Sequence, residues 1–93
     1  MSGGKKEIIS QALGDLLEVP RDVALDLARV TIIGRNEILI ENHRGVMEYG
    51  LRRIRISLSR GYMEIVGEGL ELKALMSEEI KIIGMINVVE YIE

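Results

Sequence analysis

From residue 30 onward, apolar and polar residues alternate with a period of two. In Arg53-Ile54-Arg55-Ile56-Ser57-Leu58 one face is aliphatic and the other is Arg, Arg and Ser. Glu64-Ile65, Leu70-Glu71-Leu72-Lys73 and Ile80-Lys81-Ile82 repeat the pattern. Successive strand residues point to opposite sides, so this pattern predicts strands with one buried and one wet face. Val30-Thr31-Ile32-Ile33 is a β-branched run stopped by Gly34, and it predicts a further strand.

The strands recur in units. Glycines stand at 34, 50, 67 and 84, spaced 16, 17 and 17 residues apart. Arg44-Gly45-Val46-Met47-Glu48 is echoed by Arg60-Gly61-Tyr62-Met63-Glu64. Ile33-Gly34, Val66-Gly67 and Ile83-Gly84 read as repeated strand ends. The expected fold is therefore mainly β, with about eight short strands in units of ~17 residues. Coils of that length would make a short β-solenoid or β-roll. Hairpins in series would make an antiparallel sandwich. The turns lack Asn-Gly and Asp-Gly, the strongest hairpin signals, and both architectures stay open.

The chain before the strands follows a different period. Ile8, Ile9, Ala12, Leu13, Leu16 and Leu17 fall on one stripe of a helix over residues 5–17, which Pro20 ends. A helix this short needs a surface to bury its stripe. That surface is the domain's own sheet, a partner, or a membrane interface, although a polar face poor in Lys and Arg suits the last least. The organisation expected is a lead-in with an amphipathic helix over 1–19 and one β domain over 20–93.

Composition narrows the chemistry. Ninety-three residues make one domain. With 47% apolar residues but no Phe, no Trp and three Tyr, the core must be Ile, Leu, Val and Met. No Cys means no disulfide and no thiol nucleophile. No secretory leader or spanning segment is expected. The net charge of −3 does not recommend nucleic acid. Locally, residues 44–60 hold five Arg against one Glu, and residues 64–93 hold seven Glu against two Lys. That asymmetry reads as solvated ends or as complementarity between subunits or with a partner.

His43 is the sole imidazole, with Glu41 two residues away. On a strand the two would share a face, and a hydrolase centred on them is the enzymatic rival. No Ser or Cys nucleophile adjoins them, and one His with scattered Glu does not make a zinc set. In the bland alternative, Glu41-Asn42-His43-Arg44-Gly45 is a turn: Asn42 takes left-handed geometry and Gly45 a positive φ. No phosphate-binding glycine loop is present, and aromatic residues are too few to stack bases. No cofactor, metal or small-molecule substrate is expected. Arg53 and Arg55, on one wet strand face, are the expected contact surface.

Several segments together are similar to a known family. They are the run from Pro20 to Leu27, Arg29-Val30-Thr31-Ile32-Ile33-Gly34, Ile40-Glu41-Asn42-His43-Arg44-Gly45, Gly61 to Gly67, Glu79 to Gly84, and Val88-Val89-Glu90-Tyr91-Ile92. This combination resembles the YabP/YqfC family of sporulation proteins, nearer its YqfC branch. It departs at Ala28, where many relatives carry proline. The resemblance implies a non-enzymatic protein of endospore-forming bacteria, cytoplasmic in the mother cell and peripheral to the outer forespore membrane. It implies a membrane-anchored partner, YqfD-like. Self-assembly into a homo-oligomer suits a repeated β body. Glu41, Asn42, His43, Arg44, Gly45, Arg53 and Arg55 are the expected partner surface.

Overall fold

In a computed structural model the structure describes residues 25–93. The expected helix over 5–17 lies outside them. Six strands follow in order: β1 (Arg29–Ile33), β2 (Glu37–Glu41), β3 (Gly45–Tyr49), β4 (Arg53–Ser57), β5 (Tyr62–Met76) and β6 (Glu79–Ile92). They form one open sheet in the order β1-β2-β6-β5-β4-β3, and every ladder is antiparallel. Among the described residues there is no helix. The pairing is that of serial hairpins and not of solenoid coils.

Two strands are far longer than expected, and they are bent. β5 and β6 pair from Tyr62↔Ile92 to Met76↔Glu79. A flat ribbon would separate Tyr62 from Glu78 by about 50 Å at ~3.3 Å per residue. Yet Asn42 N donates to Glu78 O (2.9 Å), and Arg44 N donates to Ser57 O (2.7 Å), with Ser57 paired to Tyr62. Asn42 N and Arg44 N can be no more than about 7 Å apart. The tip of the ribbon therefore returns to its base, and the sheet is folded double.

The fold line lies where the ladder slips, between Val66 and Gly67 and between Glu68 and Glu71. An added Cβ on Gly67 would lie 2.0 Å from Met85 O, and one on Gly84 2.7 Å from Gly69 O. Gly69 and Gly84 also take positive φ, 59° and 139°. Close backbone approach and left-handed geometry both demand glycine here. Gly67 and Gly84 thus do not end strands, as the sequence pattern suggested. They bend strands that continue. Each long strand serves as two segments, so the sheet crosses the core eight times with six strands.

The glycine spacing has a structural origin. The β1–β2 hairpin lies against the first half of β6, and the β3–β4 hairpin against the first half of β5. The hairpins are offset by sixteen residues (29–41 against 45–57) and the long-strand starts by seventeen (62 against 79). Even the bend bonds correspond. Gly67 N→Arg52 O (3.0 Å) and Leu70 N→Leu51 O (2.9 Å) match Gly84 N→Asn36 O (3.1 Å) and Ile86 N→Arg35 O (2.8 Å). The ten core residues form five equivalent pairs: Ile38/Ile54, Ile40/Ile56, Ile80/Met63, Ile82/Ile65 and Ile86/Leu70. The molecule is two copies of one three-strand unit, facing each other across a shared aliphatic core.

Candidate functional site: the clasp at residues 41–45

The two units are joined twice. The glycine bend joins them at one end. At the other, residues 42–44 cross from β2 to β3, and here the Glu41-to-Gly45 motif lies. Its local path follows from its residue types. Asn42 adopts φ 63° and Gly45 φ 123°, conformations that Asn tolerates and Gly allows freely. The left-handed Asn42 breaks the extended path after Glu41. The alternation that would have put Glu41 and His43 on one face therefore ends between them.

The side chains of Asn42 and Arg44 are spent on holding the crossing. Asn42 Nδ2 donates to Asp26 Oδ1 (3.1 Å) and to Leu27 O (3.1 Å). Arg44 Nη1 donates to Asn42 Oδ1 (3.0 Å), while Arg44 Nη2 forms a charge-assisted bond with Asp26 Oδ2. Asp26, itself at φ 56°, accepts through its carbonyl from Ser59 Oγ (2.9 Å). His43 N lies 3.5 Å from Glu78 O. The crossing thus gathers the approach to β1, the β4–β5 turn and the β5–β6 turn. The Arg44 bond, then the Asn42 bond, hold the Asp26 carboxyl below its ordinary range, and Asp26 raises Arg44 in return. Asp26 was not singled out from the sequence. Its signal was weak, one acid among alternating Val and Leu.

His43 is used locally. Gly45 N–H donates to its Nδ1 (2.9 Å), so Nδ1 is the acceptor and Nε2 carries the proton of the neutral ring. Nε2 is buried without a hydrogen-bond partner. The ring bonds to its own turn and not to Glu41. Glu41 instead stands opposite Arg29 and Glu79 in the sheet. Among the described residues no group of three or more acidic or His side chains converges as metal ligands.

Arg53 and Arg55 do share the outer face of β4, apart from the clasp. Arg55 Nε donates to Glu64 Oε2 (2.7 Å), and Arg53 Nε lies 3.7 Å from the same oxygen. Glu48 is 3.5 Å from Arg55, whose guanidinium stands 5.7 Å from the Tyr62 ring centroid. The bond to Glu64 raises Arg55 above its ordinary value. This face is a charge-balanced row and not a free basic patch. The equivalent position in the other unit reverses the signs, with Lys81 Nζ 3.1 Å from Glu37 Oε1.

Near the clasp, a shallow groove of about 310 Å³ opens between Leu27, Ala28, Leu58 and Tyr91. The Arg60–Glu93 pair (3.8 Å) lies at its rim. Among the described residues no helix is long and apolar enough to cross a membrane.

Comparison with known proteins decides the family. The YabP family profile matches residues 26–93, the clasp and both repeated units included. The chain belongs to the YabP family. It is 41% identical to the uncharacterized protein YqfC of Bacillus subtilis (strain 168) over 91 residues, covering 98% of each chain. No solved structure matches.

Proposed function

We propose that this YabP-family chain is a non-enzymatic docking protein of endospore-forming bacteria. In this reading it acts in the mother cell, peripheral to the outer forespore membrane. It binds a membrane-anchored sporulation protein of the YqfD-like kind and self-associates. One observation carries the reading. The Asn42 and Arg44 side chains of the most distinctive motif are consumed in clasping two β units together, with Asp26 as their shared partner. A motif used this way makes a stiff platform. The surface left for partners lies on the outer sheet faces and edges, where Tyr49, Leu51 and Val88 are exposed. Arg53, half exposed beside Glu64, stands on that surface.

The test is affinity capture with the full chain from detergent-solubilised membranes of sporulating cells. Wild type should retain one integral membrane protein. Arg53→Gln should retain less while keeping the wild-type circular dichroism, because Arg55 still satisfies Glu64. Failure of the wild type to hold any integral membrane protein would refute the reading.

A further inference from the structure

Among the described residues the folded sheet has four strand edges: β1, β3, the outer half of β5 (71–76) and the outer half of β6 (87–92). Unpaired edges template pairing with other chains unless something interrupts them. Three of the four are interrupted. β3 slips register between Val46 and Glu48 and carries Glu48. The outer half of β5 slips between Ala74 and Met76 and carries Glu71 and Lys73. The outer half of β6 skips Asn87 in its ladder and carries Glu90.

β1 carries one charge, Arg29 at its first residue, but no register slip. Its ladder to β2 runs unbroken from Arg29↔Glu41 to Ile33↔Glu37. It contains no Gly, Pro, Lys or acid, and Val30, Thr31, Ile32 and Ile33 are all β-branched. Ile32 and Ile33 are 50% and 57% exposed. Among the described residues no strand pairs with its outer side.

We propose that β1 is the self-association edge, pairing antiparallel with β1 of a second copy about a two-fold axis through Thr31. The occupant follows from the sequence of the edge itself. In that register Arg29 stands opposite Ile33 of the second copy, Val30 opposite Ile32, and Thr31 opposite Thr31. No charge faces a like charge, and Val30 and Ile32, on the core side of β1 in both copies, meet across the junction. On the outer face the row runs Glu41, Arg29, then Ile33 and Glu37 of the second copy, since Arg29 is opposite Glu41 and Ile33 opposite Glu37 within each chain. No charge of the row adjoins a like charge: Arg29 stands beside Glu41, and Glu37 of the second copy, two strands from Arg29, keeps its Lys81 partner (3.1 Å). An unrelated strand has no reason to match both the apolar and the charged positions. The two folded sheets would become one continuous sheet across the junction. The inference deepens the self-association in the proposed function and is independent of whether a membrane protein is captured.

Light scattering on the full chain tests it with Thr31→Lys and Thr31→Glu. Wild type should have the mass of a dimer. Each variant alone places two like charges directly opposite and should have the mass of a monomer with unchanged circular dichroism. An equimolar mixture should return to the dimer mass, because Lys then faces Glu. Thr31→Cys provides a second readout. Directly opposed residues have Cα atoms about 4.5–5.5 Å apart, within disulfide range, so this otherwise cysteine-free chain should cross-link on oxidation. Val46→Cys, on the bulged edge, should not. A monomeric wild type, a dimeric Thr31→Lys, a mixture that stays monomeric, or preferential cross-linking through Val46→Cys would each overturn the proposal. A monomeric wild type that still captures a membrane protein would overturn it while leaving the docking reading intact.

Discussion

Replacing Gly67 by Ala should unfold much of the stability of this domain, because one methyl group would hold the bend open. The new carbon would sit 2.0 Å from Met85 O, 3.0 Å from Met85 C and 3.1 Å from Leu70 Cδ2. Non-bonded carbons settle near 3.5–4.0 Å from their neighbours, so the strands must part by about 1.5 Å. The obstacle is a carbonyl in a paired strand, and no side-chain rotation removes it. Overpacking of this kind costs about 1–3 kcal/mol, sometimes more, and a rigid obstacle argues for about 3 kcal/mol. A chain of this length has about 5–14 kcal/mol in total. At about 4–8 °C per kcal/mol, the melting temperature should fall by roughly 12–24 °C. Two glycines serve as controls. Gly69 has positive φ but nothing within 4 Å of an added Cβ, so Gly69→Ala should cost only the left-handed strain of about 1–2 kcal/mol. Gly50, whose nearest neighbour would be Arg53 O at 3.4 Å, should change by about 0.5 kcal/mol or less. Urea denaturation followed by circular dichroism gives all three. Gly67→Ala within about 1 kcal/mol of wild type, or no more costly than Gly50→Ala, would refute the folded ribbon.

Further outcomes are expected from the clasp and the duplicated core. Asn42→Ala should cost about 3 kcal/mol, combining three lost hydrogen bonds at about 0.5–1.5 kcal/mol each with left-handed strain of about 1–2 kcal/mol. Asn42→Gly, which keeps the φ and loses only the hydrogen bonds, should cost about 2 kcal/mol, and equal losses in urea melts would show that the backbone geometry is irrelevant. Asp26 is held below its ordinary 3.8, first by Arg44 and then by Asn42. A lowered folded-state value stabilises fully above the ordinary value, and that contribution disappears as pH falls through the folded one. The stability gap between wild type and Asp26→Asn should therefore be constant above about pH 5 and shrink below it, as paired denaturation series across that range would reveal. Ile38→Ala and Ile54→Ala occupy equivalent, fully buried positions. Each should cost about 2–5 kcal/mol, and denaturation midpoints placing the two far apart would contradict the equivalence of the units.

Much was legible along the chain because side-chain alternation is a local property. Period-two patterns placed Ile54, Ile56, Ile65, Leu70, Ile80 and Ile82 on buried faces, and all six are core residues, while Leu58 and Leu72 on the same faces are partly buried against them. The turn character of Asn42 and Gly45 followed from their tolerance of positive φ. The glycine period was visible too, and it reflected a real duplication. What the period meant was not visible. A glycine that ends a strand and a glycine that bends one look alike in sequence, since both lack a side chain. Only the closeness of Met85 O to Gly67 and of Gly69 O to Gly84 separates them. The partners of the Arg residues were equally hidden, because Arg55 and Glu64 meet across a β4–β5 register that no local pattern states.

The sequence by itself determined which residues avoid water, where the chain turns, and that a glycine-punctuated pattern recurs about every 17 residues. The tertiary structure decided how the copies face each other, that β5 and β6 run through the bend, and that Asp26, Asn42 and Arg44 form the clasp. Burial and backbone preference belong to single residues and their neighbours and so can be read in order. The fold line and the clasp exist only when segments far apart in the chain come within a few ångströms, and that proximity is settled by packing.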